Sequence, residues 1–122
     1  MDFHEQQPIY LQIVGYVCER ILLRQWNKGD RVPSVRELAV TLEVNPNTVM
    51  RAYEFLQQKE IVYNQRGLGL FVSDDGLKNA KAYRQHEFLQ KEVPAFFASM
   101  TLLQIGIEEL ESLFKKYRKS KV

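Results

Sequence analysis

The chain has one cysteine, Cys18, among its 122 residues. An internal disulfide is therefore excluded, and a reducing, cytoplasmic setting is expected. Cys18 lies beside an apolar helical stripe, which favours a place in the core over a reactive one. No apolar run approaches the ~18 residues that a membrane span needs. Residues 1–8 carry no basic-then-apolar signal pattern, so neither secretion nor a membrane partner is expected. The two histidines, His4 and His86, are isolated, and no Cys/His spacing suits a metal. There is no nucleotide-binding glycine motif and no nucleophile with a placed base, so neither a cofactor nor enzymatic activity is expected.

A broad positive bias is also missing. Residues 1–75 hold eight Lys and Arg against ten Asp and Glu, and residues 76–122 hold nine against five. Any grip of the first stretch on nucleic acid has to rest on a few well-aimed cations, doubled by dimerisation.

What the chain does have is punctuation. Tyr10, Ile9, Ile13, Val14, Val17 and Ile21 repeat at helical spacing, predicting a helix from about Pro8 to Arg24. Trp26-Asn27-Lys28-Gly29-Asp30 is turn chemistry. Ser34 and Glu37 then form a capping box, opening a short helix with Leu38, Ala39 and Leu42 inward. Glu43-Val44 turns the chain, Asn45 caps a third helix and Pro46 takes its first position. Val49, Ala52, Tyr53 and Leu56 make its inward stripe.

After Glu60 the period changes. Ile61–Gln65 and Leu70–Ser73 are β-rich, and Arg66-Gly67-Leu68-Gly69 suits a hairpin between them. Helix, helix-turn-helix, hairpin is the order of a winged helix. The expected fold is mainly α with a small β-hairpin. A winged helix-turn-helix over residues 1–75 is followed by a two-helix dimerisation tail over 76–122, with Asp74-Asp75-Gly76 as the boundary.

The tail reads as helical with one interruption, at Pro94. Val93, Met100, Ile107 and Phe114 stand seven apart, as do Phe96, Leu103, Leu110 and Tyr117, offset by three. This a/d heptad pattern suits a helix-helix seam. With Phe97 beside it, these nine residues are the dimerisation candidates; an intramolecular hairpin with residues 77–92 is the competing use of the same face. The basic end, Lys115 to Lys121, suits the negative pole of a helix dipole.

With Val49, Ala52, Tyr53 and Leu56 inward, Asn47, Arg51, Glu54 and Gln58 face the opposite way. Asn47 and Arg51 lie near the N-terminus of that helix, where a recognition helix meets base edges. Asparagine pairs with adenine and arginine with guanine. Asn45 and Thr48 are better placed for phosphate. Glu54 could accept from cytosine or orient Arg51. Arg36 reads as a phosphate or base-edge clamp, against a surface ion pair with Glu37 or Glu43 as the plainer use. Arg66 suits a minor groove, with Gly67 and Gly69 letting backbone approach sugar-phosphate.

Four stretches resemble the GntR family of bacterial transcription regulators: Pro8–Ile13, Arg31–Ala39, Asn45–Val49 and Gly67–Val72. The Asn-Pro-Asn-Thr wording and the short helical tail resemble its YtrA-like subfamily. The resemblance implies a homodimeric winged-helix repressor, often of transporter operons. It also implies DNA contacts at Arg36, the segment Asn45, Pro46, Asn47 and Thr48, Arg51, and the wing at Arg66, Gly67 and Gly69. Ser34, opening the second helix, completes the candidate set. Pro46 and Met50 depart from the family pattern, which implies a different operator.

The expected function is a homodimeric, sequence-specific DNA-binding regulator, a repressor on a palindromic site of double-stranded DNA. The near-neutral reader half leaves a second reading open, a winged-helix protein-interaction or scaffold module without an operator. A small-molecule effector, unidentified, would need Phe88 to Phe97 to line a cavity between protomers.

Overall fold

A computed structural model describes residues 7–121 of the protein. His4 and the rest of the segment through residue 6 lie outside them. The chain divides into two compact units between Arg84 and Gln85.

In the first unit, α1 (Ile9–Leu22) follows Pro8 and buries Ile13, Val14, Val17, Cys18 and Ile21. These residues follow the helical period, so one stripe enters the core. Helix α2 (Val35–Leu42) starts at Ser34. The Ser34 hydroxyl accepts the Glu37 N–H at 3.1 Å, and the Glu37 carboxylate accepts the Ser34 N–H at 2.8 Å. The capping box is thus formed in both directions.

Glu43 then adopts a left-handed conformation with φ 56°, and the Val44 N–H returns to the Ala39 carbonyl at 3.0 Å. The reversal releases α3 (Pro46–Gln58), whose cap Asn45 accepts the Asn47 N–H at 2.8 Å. Val49, Ala52, Tyr53 and Leu56 are all buried, as their spacing predicts.

Strands β1 (Val62–Gln65) and β2 (Gly69–Val72) pair antiparallel, Val62 opposite Val72 and Gln65 opposite Gly69. The α1–α2 linker adds a third, short rung to β2. Gly29 donates to the Val72 carbonyl and Val32 to that of Leu70, and Val72 donates back to Asp30, each at 2.9 Å. The wing is therefore stitched to the chain that leads into α2.

Helix α4 (Gly76–Glu87) begins where the sequence puts the boundary. Most of it, Gly76 to Arg84, nevertheless belongs to the winged unit. Ala80 is fully buried in the core, and the Tyr83 ring meets Phe55 edge-on at 5.4 Å between centroids. The division falls after Arg84 because Gly76, Ala80 and Tyr83, on one side of this stretch, pack inward.

In the second unit, Pro94 does not interrupt the helix, contrary to expectation. A π-helical turn (Phe88–Glu92) runs directly into α5 (Val93–Leu103). The Val93 N–H donates to the Phe88 carbonyl, five residues back. The wider turn lets the chain pass a proline that has no N–H to give. The interruption comes at Gln104, whose φ of 58° ends α5; Gly106 then caps α6 (Ile107–Ser120). The heptad stripe is thus split over two helices. No residue of α5 or α6 is buried.

Among the described residues no helix is long and apolar enough to cross a membrane. The molecule is mainly α with a small β-hairpin: a winged helix-turn-helix and a helical tail.

Candidate nucleic-acid interface

The N-terminal end of α3 stands in solvent. Asn45, Pro46 and Asn47 are exposed, Thr48 is half-buried and Arg51 is exposed. The cap fixes this end, because the Asn45 side chain binds the Asn47 backbone and leaves the Asn47 side chain outside the cap bond. Together these residues present amide groups and one cation where the helix dipole is positive. Met50, on the flank of the same end, is 47% exposed. An apolar side chain there offers contact for a thymine methyl.

Arg51 is not a loose side chain. Its guanidinium carbon lies 3.9 Å from the centroid of the Tyr10 ring, on α1. Its spacing offers Glu54 either to cytosine or to Arg51; the contact that the structure shows for Arg51 is with Tyr10. Nothing in the local sequence pairs these two residues, which meet only because α1 and α3 cross.

Arg31 was also missed by sequence reasoning. Its Nε donates to the Leu68 carbonyl at 3.3 Å, and its Nη1 lies 3.8 Å from the Glu37 carboxylate. One arginine thus joins the wing to the cap of α2, and brings Ser34 and the Gly67–Gly69 segment into one neighbourhood. Glu37 is committed to this cap. Hydrogen bonds from the Ser34 backbone and hydroxyl hold its carboxyl below the ordinary carboxylate range, and Arg31 adds to the effect. Arg36, next in the chain, is exposed.

The wing turn is closed by the Leu68 N–H on the Gln65 carbonyl at 2.9 Å. Gly67, at φ 80°, has the sign that a type II turn demands of its third residue. Gly69, at φ 114°, is crowded as well: a Cβ there would sit 3.0 Å from Arg31 Nε. Arg66 and Leu68 are exposed at the tip.

The dimerisation candidates behave as an unburied apolar set. Phe96, Phe97, Leu103, Ile107, Phe114 and Tyr117 are each more than half exposed, while Val93, Met100 and Leu110 are half-buried. Arg118 and Lys119 occupy the last turn of α6, with Glu108 and Glu109 in its first. Both charge placements complement the helix dipole.

These features can be compared with known proteins. The model of the family described as "Bacterial regulatory proteins, gntR family" matches residues 9–72. The chain is 40% identical over 73 residues to the uncharacterized HTH-type transcriptional regulator YhcF of Bacillus subtilis, covering 60% of each chain. It is 40% identical over 75 residues to the HTH-type transcriptional repressor YtrA of the same organism, covering 62% of this chain and 58% of that one. The matched stretch is thus about three-fifths of these relatives' own length. A solved structure of a GntR-family transcriptional regulator from Bacteroides thetaiotaomicron superposes with a TM-score of 0.74 at 42% identity, covering 94% of this chain and 100% of that one. These relatives are regulators, not enzymes. The chain belongs to the GntR family of bacterial regulatory proteins.

Proposed function

We propose that the protein is a cytoplasmic, homodimeric repressor that reads a palindromic operator and controls a transporter-type operon. The observation that carries the reading is the solvent-exposed N-terminal end of α3, where Asn47 and Arg51 can reach base edges and Asn45 and Thr48 phosphate. Arg36 and the wing tip at Arg66 and Gly67 add backbone contacts to each half-site. Ser34 and Gly69 serve by holding these elements in place.

The apolar set on α5 and α6 supports a dimer. Aromatic and aliphatic groups of this size, left in water over two helices, mark an interaction surface. A two-fold dimer presents two copies of α3 to successive major grooves, about 34 Å or a multiple apart. Repression is supported by the likeness to YtrA, which is described as a repressor. A bound dimer on a promoter blocks polymerase without further chemistry.

Selection of binding sites from random DNA tests the proposal, followed by a salt titration of binding to the selected duplex. A palindromic site and a steep fall of affinity with salt are expected. Absence of duplex binding at low salt would favour the scaffold reading instead. Light scattering of the free protein checks the dimer.

A further inference from the structure

We propose that Tyr10 is a positioning residue for operator reading, holding the Arg51 guanidinium against its ring. The inference rests on the reading of α3 as the DNA-contacting helix. At 3.9 Å from the ring centroid, the Arg51 guanidinium carbon is at stacking distance. A stacked guanidinium attaches through its face, so its in-plane N–H donors remain available for a second, bidentate partner. Arg51 can therefore keep Tyr10 and meet a base edge or phosphate at the same time.

Tyr10 is itself held. Its ring meets Phe55 of α3 edge-on, with centroids 6.4 Å apart. Phe55 in turn meets Tyr83 of α4 at 5.4 Å, and the Lys59 ammonium lies 5.6 Å from the Phe55 centroid. Three rings from three helices thus form one packed row that ends under the guanidinium. The row fixes the ring, and the ring fixes the arginine.

The physical consequence is preorganisation. A long, exposed arginine has many rotamers, and binding must reduce them to one. An arginine already stacked has lost part of that freedom before DNA arrives. It is also aimed, so the base it meets is set by α1 as well as by α3. The same row draws α4 into the support of the reader.

The test uses the full chain and the duplex selected from random DNA. Tyr10→Phe keeps the ring and drops the hydroxyl; Tyr10→Leu drops the ring. Binding within about twofold of wild type is expected for Tyr10→Phe, and an about three- to tenfold loss for Tyr10→Leu. Tyr10→Leu combined with Arg51→Ala should bind like Arg51→Ala alone. Additive losses would overturn the proposal, and so would a Tyr10→Phe as weak as Tyr10→Leu, since the hydroxyl would then be acting itself. A measurement that needs neither variants nor DNA protects the test against misfolding. The Arg51 side-chain Nε–H proton should resonate upfield of a solvated arginine, in the ring current of Tyr10; an unshifted signal would overturn the stack. If the wild type bound no duplex while that signal stood shifted, the operator reading would fail and the contact would be structural only.

Discussion

The Tyr53 hydroxyl donates to the Pro33 carbonyl at 2.7 Å, tying the middle of α3 to the residue just before the α2 cap. This bond crosses the helix-turn-helix at its base, so it sets how far the two helices open. Tyr53→Phe leaves the core volume unchanged and strands the carbonyl. The expected loss is about 1 kcal/mol of unfolding free energy, read from urea titrations. Burial also pushes the Tyr53 hydroxyl above its usual pKa, with Glu37 adding to the effect. A raised folded-state pKa means a contribution that is complete below the unfolded value, about 10, and lost as pH rises towards the folded one. Wild type should therefore lose stability faster than Tyr53→Phe in alkali.

The α2 cap should show the opposite limb. Glu37 has its carboxyl held low, chiefly by the Ser34 backbone N–H and then by the Ser34 hydroxyl. A depressed folded-state pKa gives stability that is present above the unfolded value of 4.5 and lost as pH falls through the folded one. The stability gap between wild type and Glu37→Gln should narrow steadily below pH 4.5. At neutral pH, Ser34→Ala should cost about 1 kcal/mol through the lost cap. Thermal melts across the acid range check both outcomes.

Cys18 should be chemically silent while the protein is folded. It is fully buried on α1, and burial pushes its thiol up to about 12, slightly opposed by Arg84. At pH 8 the thiolate fraction is then roughly one part in ten thousand. An aromatic disulfide reagent should leave the native protein unlabelled over hours and label it at once in denaturant. Fast labelling of the native state would mean that α1 opens locally.

The sequence is most legible where structure is local. The Ser34–Glu37 box, the Asn45–Pro46 start of α3 and its buried stripe are all decided within a few residues, and each formed as its spacing predicts. Pro94 misled because proline usually breaks a helix, and a π turn is a tertiary accommodation that leaves no pattern in the letters. The true break at Gln104–Gly106 was hidden by the apolar period, which continues from Met100 and Leu103 into Ile107 and Leu110 as if the helix were unbroken. At the candidate site, the exposed end of α3 was readable. The Arg51–Tyr10 stack and the Arg31 strap on the wing were not, because each joins residues brought together only by packing. Ala80 gave too small a signal to mark α4 as part of the first core.

Gly76 offers a sign test of the packing at the start of α4. Alanine in place of glycine normally stabilises a helix, by about 1 kcal/mol. Here the residue is buried under the wing. A Cβ built on it would meet Val72 Cγ1 at 2.7 Å and the Ile61 carbonyl oxygen at 2.8 Å. The first atom belongs to a core side chain and the second to backbone, so neither can swing aside. Gly76→Ala should therefore destabilise, by about 1–3 kcal/mol from overpacking, which outweighs the propensity gain. Gly15, in the middle of α1, is the control, because a Cβ there meets nothing within 4 Å. Gly15→Ala should raise the melting temperature while Gly76→Ala lowers it. A stabilised Gly76→Ala would mean that α4 does not start pressed against β2, and that the first unit ends before it.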